Sequence, residues 1–424
     1  MDVRQGWVEN FHGDELIVAL PQLRAVQAGL RDCGVRLGAV EENETLGLAR
    51  LSGLTGIEAA ARQLEQRPLI GPELTAYRNE RKEAHPRAPE LSSLALLIKG
   101  LRLLLAEQYP GWQVSIGKNY RPSLIKGYPH TGGGGEGEPT PTNAPFTGSV
   151  GLAAGNREPG FGVRVGLLDT RLYPHPQLAG RYVGRPDDLL PADQQEFTEF
   201  DGHCTFVASC ILQQAPAAQL ELRHVLDSHG NGSAWEAALG IAELAPLDLD
   251  VVNLSFGEYM TDDDSAPMVL DAAVRRFSRG TVVVAAAGNN GDVDTRRPPE
   301  MPPGVTARTT SYPAALPDVV SVGAIDANGK RAPFTPEDVP WISLLARGTD
   351  LNAAYLRGEV RLPHQDQPTT FSGTANWAGC SFAAGVVTGV LAARTEPGRR
   401  SARQALDELV HSLRQQPQPG LLLN

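Results

Sequence analysis

Residues 250–291, DVVNLSFGEYMTDDDSAPMVLDAAVRRFSRGTVVVAAAGNNG, read as strand, helix, strand. DVVNLSF and TVVVAAAG are short, continuous apolar runs, and PMVLDAAVRRFSR between them has helical spacing. Strands that are apolar on both faces belong in a parallel sheet covered by helices on each side. The same texture extends upstream. VRVGLLD (163–169) is an apolar run ending in a carboxylate, ELRHVLD (221–227) is a further strand candidate, and SAWEAALGIAELA (233–245) is helical. The expected fold is therefore α/β, a doubly wound and mostly parallel sheet. Polar residues cluster just past the strand ends, where such sheets place their sites.

Upstream of this region the pattern breaks. Residues 131–145, TGGGGEGEPTPTNAP, carry no apolar periodicity and are rich in Gly, Pro and Thr. Such a segment buries too little surface to offset its ordering entropy and reads as a linker, taken to span 131–148. It separates a region at 1–130 from one at 149–424. The first region reads as α+β. ELIVAL (15–20) is a strand candidate, Pro21 opens a helix that Gly34 stops, and VRLGAV and TLGLARL follow as strands. IEAAARQLEQ is helical, residues 90–108 form a longer helix, and WQVSIGKNY is a final strand. The order β-α-β-β-α-(α)-β is compatible with a ferredoxin-like unit.

The chain of 424 residues has a net charge of −11 and no basic run, which argues against nucleic acid as the main ligand. Cys33, Cys204, Cys210 and Cys380 match no zinc spacing and are too few for a disulfide scaffold. LSSLALLIKGLRLLLAEQY is interrupted by Lys99 and Arg102, so it reads as a buried helix and not as a membrane span. The first residues lack a basic-then-apolar leader pattern. The expectation from these features is a cytoplasmic protein with reduced thiols and no membrane partner.

Amide hydrolysis needs a nucleophile, a base, a group to orient the base, and donors for the oxyanion. Ser381 stands in GTANWAGCSFAAGVVTGVLAA, at the start of a small, apolar helical stretch. Free N–H groups and the helix dipole there favour developing negative charge, although a Ser at that place is also an ordinary helix cap. His203, in DGHCTFVASCIL, begins another apolar helical stretch. Asp169 ends a strand and is placed to orient an imidazole. Asn289 follows TVVVAAAG, where its amide is a candidate donor, although Asn-Asn-Gly is turn chemistry as well.

Taken in order, these strings resemble the subtilisin-like serine peptidases, the subtilases, over about residues 163–394. GLLDT resembles the family's Asp motif, GHCTFVA its His motif, VVNLSFG its cleft strand and VVAAAGNNG its oxyanion motif. SYPAALPDVVSVGA and GCSFAAG resemble the next two segments, and the chain order Asp, His, Ser is the family's. The resemblance implies an endopeptidase with Asp169, His203 and Ser381 as triad and Asn289 in the oxyanion hole. It implies a substrate edge at Leu254, Ser255, Phe256 and Gly257, which would take an extended protein or peptide. No cofactor is required; calcium is common in the family, but no ligands for it are assignable in this sequence. Propeptides of the family are commonly ferredoxin-like. The first region is therefore expected to restrain the enzyme, as a propeptide or a retained regulatory domain, with SLIKGYPH (123–130) able to reach the LSFG edge; a separate partner protein is the other candidate regulator.

The chain departs from the family pattern at Arg171, Cys204, Cys380 and Gly385. None of these is a reacting group. They motivate the competing reading, a protease fold kept as a binding scaffold. Asp262, Asp263 and Asp264 could attract basic substrates or simply start the next helix.

Overall fold

The computed structural model describes residues 10–84, 90–124, 138–143, 158–261, 266–295, 301–363, 365–415 and 422–423. Most of the linker, Asp262, Asp263 and Asp264, and residues 125–130 lie outside them.

The first region begins with β1 (Phe11–Ala19), α1 (Leu23–Asp32), β2 (Ala39–Asn43) and β3 (Leu48–Ser52). It continues through α2 (Ile57–Glu65), α3 (Gly71–Ala84), α4 (Ser93–Gln108) and β4 (Ile116–Tyr120). The strands form an antiparallel sheet in the order β2-β3-β1-β4, the pairing of a ferredoxin-like unit with added helices. The sequence pattern gives no sign of α3, because its only buried residues are Gly71, Leu74 and Arg81. α4 starts at Ser93, where the Ser92 hydroxyl accepts the Ala95 N–H, three residues later than the apolar pattern suggests. α4 packs on α2 so closely that a Cβ on Gly100 would meet Leu64 Cδ1 at 2.7 Å.

Two short strands follow, β5 (Ser123–Leu124) and β6 (Thr140–Pro141). Then comes the main sheet: β7 (Arg164–Asp169), β8 (Tyr182–Val183), β10 (Gln219–His224), β11 (Val251–Leu254), β13 (Val282–Ala286), β15 (Val319–Ile325), β16 (Leu344–Arg347) and β19 (Leu422–Leu423). All pairs are parallel, in the order β19-β16-β15-β13-β11-β7-β10-β8. Successive residues of β13 enter different cores, which explains its unbroken apolar run. Val282, Val284 and Ala286 face one side; Val283 and Ala285 face the other.

On the first side lie α5 (His203–Gln214), α8 (Cys380–Arg394) and α9 (Ala402–Arg414). Gly385 allows α8 to approach α5, since a Cβ there would lie 3.2 Å from Cys210 Cβ. On the second side lie α6 (Ala234–Leu244) and α7 (Met268–Val274). The first region packs on α6 and α7, and one hydrophobic core runs from Val18, Leu97 and Ile116 to Trp235, Ile241 and Leu270. Polar contacts fix this join. Asn119 Oδ1 accepts the Trp235 N–H at 3.0 Å at the start of α6. Asn10 donates to the Tyr259 carbonyl at 3.0 Å and Arg276 to the Leu46 carbonyl at 2.9 Å.

Two small sheets complete the fold. β12 (Phe256–Tyr259) lies between β5 and β14 (Ser311–Tyr312). A long hairpin of β17 (Leu351–Arg361) and β18 (Thr369–Trp377) is flanked by β9 (Glu196–Thr198) and β6.

An ion network around the buried Asp188 pins the turn at 185–189 to β10. Asp188 accepts from the Arg185 and His224 N–H groups at 2.7 and 2.9 Å, and its side chain is fully buried. Burial alone would raise its pKa, but the hydrogen bonds from His224 and Arg185 prevail and hold the carboxyl well below the usual carboxylate range. A carboxyl depressed on folding stabilises the protein above its unfolded pKa of about 3.9, and that stability is lost as pH falls through the folded value. Asp188→Asn is expected to cost about 1–3 kcal/mol at neutral pH. It should also flatten the decline of melting temperature below about pH 4. An unchanged acid slope in a pH series of thermal melts would contradict this.

Candidate active site

Asp169 is the last residue of β7, a strand paired on both sides, so its position is set by the sheet. Its Oδ1 accepts the Thr170 N–H at 2.7 Å. His203 is the first residue of α5 and follows a tight turn at 199–202. That turn is closed by the Thr198 N–H and hydroxyl, which donate to Asp201 Oδ2 at 2.7 and 3.1 Å. Gly202 is required within it, because a Cβ would lie 2.0 Å from the Tyr355 ring. The result places His203 Nδ1 at 2.8 and 3.0 Å from the two Asp169 carboxylate oxygens. A carboxylate can only accept, so Nδ1 carries the proton and Nε2 is left basic.

Ser381 is the second residue of α8. Its N–H lies in the first turn, where the helix offers no partner and the dipole is positive. Its hydroxyl donates to the Ser255 carbonyl at 3.1 Å. The single Ser255 hydroxyl proton is shared between Asn253 Oδ1 at 2.7 Å and the Ser381 carbonyl at 3.0 Å, and Asn253 Nδ2 donates to Thr388 Oγ1 at 3.0 Å. This buried ladder ties the end of β11 to α8. Asn289 lies just past β13. Its Oδ1 accepts the Cys380 N–H at 3.1 Å, which turns its Nδ2 toward Gly379 and the start of α8. Its own N–H donates to the Tyr259 hydroxyl at 2.9 Å. Asp169 and His203 are thus in direct contact, and Ser381 and Asn289 meet at one helix N-terminus. The Phe382 ring, next to Ser381, touches the His203 ring at a centroid distance of 5.3 Å. Asp169, His203 and Ser381 are all buried, so charge arising among them is poorly screened by water.

The four edge residues separate. Leu254 is inside the main sheet, paired on both sides and fully buried. Ser255 offers its carbonyl to Ser381. Phe256 and Gly257 belong to β12 and pair antiparallel with Leu124 and Ser123 of β5. On the other flank of β5 is a loop the sequence reading passes over, Gly230, Asn231 and Gly232. The Leu124 N–H donates to the Gly230 carbonyl at 2.7 Å, and the Gly232 N–H donates to the Pro122 carbonyl at 2.9 Å. Leu124 fills the space beside Gly230, where a Cβ would meet its side chain at 2.9 Å. The first region therefore ends in a strand held between two edges of the second.

The departures from the family pattern are benign in place. Cys204 and Cys380 are buried, and neither forms a disulfide. Burial pushes the Cys204 thiol up, further raised by the nearby Asp169, which makes it a poor nucleophile. Arg171 points away to the Asp187 carbonyl at 3.0 Å. Among the described residues, no group of three His, Cys, Asp or Glu is placed to hold a metal ion, and no helix is long and apolar enough to cross a membrane.

A model described as the subtilase family, peptidase S8, matches residues 160–421. A thermostable alkaline protease of Halalkalibacterium halodurans is 32% identical over 206 residues, 46% of this chain and 50% of that protein. An intracellular serine protease of Paenibacillus polymyxa is 28% identical over 235 residues, 53% of this chain and 65% of that protein. The chain thus spans between half and about two thirds of the length of these relatives. Among solved structures, fervidolysin from Fervidobacterium pennivorans, a keratinolytic enzyme related to subtilisin, matches with a TM-score of 0.58 and 19% identity, over 97% of this chain and 58% of that one. That likeness concerns the fold.

Proposed function

The chain belongs to the subtilase family, and from that premise we propose that it is a serine endopeptidase acting through Asp169, His203, Ser381 and Asn289. The observation that carries the reading is the Asp169–His203 pair at 2.8 Å, with buried Ser381 at a helix N-terminus whose next residue, Phe382, packs on His203. The Ser381 hydroxyl turns from the Ser255 carbonyl to His203 Nε2 and attacks the scissile carbonyl as Nε2 takes its proton. Asp169 stabilises the imidazolium. The Asn289 Nδ2 and the Ser381 N–H receive the oxyanion, and His203 then returns the proton to the leaving amine. Water repeats the sequence on the acyl-enzyme. The test is labelling with a serine-reactive fluorophosphonate. Labelling that vanishes in Ser381→Ala supports the enzyme; a folded wild-type protein that never labels favours the scaffold reading.

The restraint of this activity by the first region is part of the same reading. Its support is β5, which runs antiparallel to β12 as an extended substrate would. Leu124 is opposite Phe256, the neighbour of Ser255, whose carbonyl accepts the Ser381 hydroxyl. The chain just past Leu124 is therefore the expected place of self-cleavage. Intact-mass analysis of purified protein should find two fragments that meet within a few residues after Leu124, absent from Ser381→Ala. A wild-type chain that turns over peptides yet stays uncut would leave only a permanent inhibitory domain. An intracellular address completes the proposal. It is supported by four buried cysteines that form no disulfide and by the likeness to a relative named as an intracellular protease.

A further inference from the structure

Among the described residues, His203 is held by hydrogen bonds at Nδ1, to Asp169 at 2.8 and 3.0 Å. That contact lies on one edge of the ring and works as a hinge, about which the imidazole could swing and carry Nε2 away from Ser381. Gly202, the preceding residue, has no side chain to brace it. The swing is closed off by aromatic walls. Trp377 meets the imidazole edge-on, with centroids 5.7 Å apart and planes at 88°. Phe382 covers it at 5.3 Å and 41°. These two rings pack on each other at 4.9 Å and on Phe206 at 5.7 and 4.4 Å. Tyr355 backs Trp377 at 5.8 Å and is anchored by its hydroxyl, which donates to the Glu199 carbonyl at 2.6 Å. All of these rings are buried.

We propose that Trp377 and Phe382 are positioning residues for His203, setting the tilt of its imidazole toward the Ser381 hydroxyl and keeping water off it. Trp377 ends β18 and Phe382 follows Ser381 on α8, so one short strip carries both the nucleophile and the walls of the base. Aromatic rings also attract a positive imidazolium, the form that His203 takes during the attack. Proton transfer needs hydrogen-bond reach, and a misplacement of about 1 Å can cost a hundredfold in rate. The proposal rests on the peptidase reading.

The test uses the full chain with Trp377→Ala, Trp377→Phe and Phe382→Leu. Phe371→Leu is the control, because Phe371 packs on Tyr355 at 4.8 Å, one layer behind Trp377. Steady-state kinetics on a fluorogenic peptide, fluorophosphonate labelling rates and thermal melts are read together. Trp377→Ala should lower kcat about thirtyfold or more with KM within about threefold, and Trp377→Phe should recover most of it. Phe382→Leu should lower kcat in the same way, and it carries the test if Trp377→Ala fails to fold. Phe371→Leu should lower the melting temperature while keeping kcat per folded molecule. The proposal is overturned by unchanged kcat in Trp377→Ala and Phe382→Leu, by a loss confined to KM, or by an equal loss in Phe371→Leu. A wild-type protein that neither turns over nor labels overturns the peptidase reading itself, and this proposal with it.

Discussion

Ser381→Ala is expected to abolish peptide hydrolysis, lowering kcat by about 10⁴–10⁶ while the fold persists. The size follows from the site acting as one unit. Without the hydroxyl there is no acyl intermediate, and His203 and Asp169 have no proton to move. The remaining donors, the Asn289 amide and the helix N-terminus, would still leave a rate above that in water. The fold should survive because the side chain makes a single hydrogen bond, to the Ser255 carbonyl. The start of α8 is held by other contacts, the Gly379 N–H to the Gly348 carbonyl at 2.8 Å and the Cys380 N–H to Asn289. The measurement is kcat on a peptide substrate beside a melting curve. Cleavage at the wild-type rate by a folded Ser381→Ala protein would rule out the assigned nucleophile.

The second large effect concerns the first region. A chain beginning at about Ser149 should fold poorly and self-associate, and adding residues 1–148 in trans should rescue it. The reason is the continuous core. Trp235, Ile241, Leu270 and Ala273 are buried in a cluster shared with Val18, Leu97 and Ile116, and deletion would bare them. Each large apolar side chain exposed costs about 1.5–3 kcal/mol, so a few of them rival the whole stability of a domain, about 5–15 kcal/mol. The start of α6 would also lose its cap from Asn119. Folded monomer yield by size exclusion, with far-UV circular dichroism, reads the outcome. If the truncated chain is monomeric, melts as the full chain does, and is neither bound nor inhibited by the added region, both the shared core and the restraint are misjudged.

Much of this was legible in the sequence for a plain physical reason. A parallel sheet demands unbroken apolar strands, and polar residues at or just past their ends, such as Asp169 and Asn289, stand out against them. His203 and Ser381 stand out in the same way at the heads of apolar helices. The pairing of Ser123 and Leu124 with Gly257 and Phe256 was foreseeable because an unpaired strand edge invites an extended segment. The rest depends on contacts between distant residues. Leu74 is the one large apolar side chain that α3 buries, so no period announces that helix. The hairpin of β17 and β18 is interrupted by an irregularity between Ala354 and Arg357 and by Gly358 and Gly373 at positive φ, which blurs its alternation. Phe206, Tyr355, Trp377 and Phe382 are scattered along the chain, and only folding gathers them around His203. Gly230, Asn231 and Gly232 look like an ordinary turn until β5 lies against them.

β5 and β6 belong to different sheets, and β6 pairs with β18 through Ala375–Pro141 and Asn376–Thr140. A nick between them would change the connectivity of the molecule without changing its shape. The piece bearing β5 would keep its core contacts, and the piece bearing β6 would keep its own sheet. Covalent restraint would become a binding equilibrium, so the free fraction of enzyme would be governed by mass action. In a crowded compartment the pair would stay together and silent. On dilution, or where a competitor takes up the first piece, the same nicked molecules would separate, and the freed second piece, its share of the common core bared, would be active only for as long as it stayed folded.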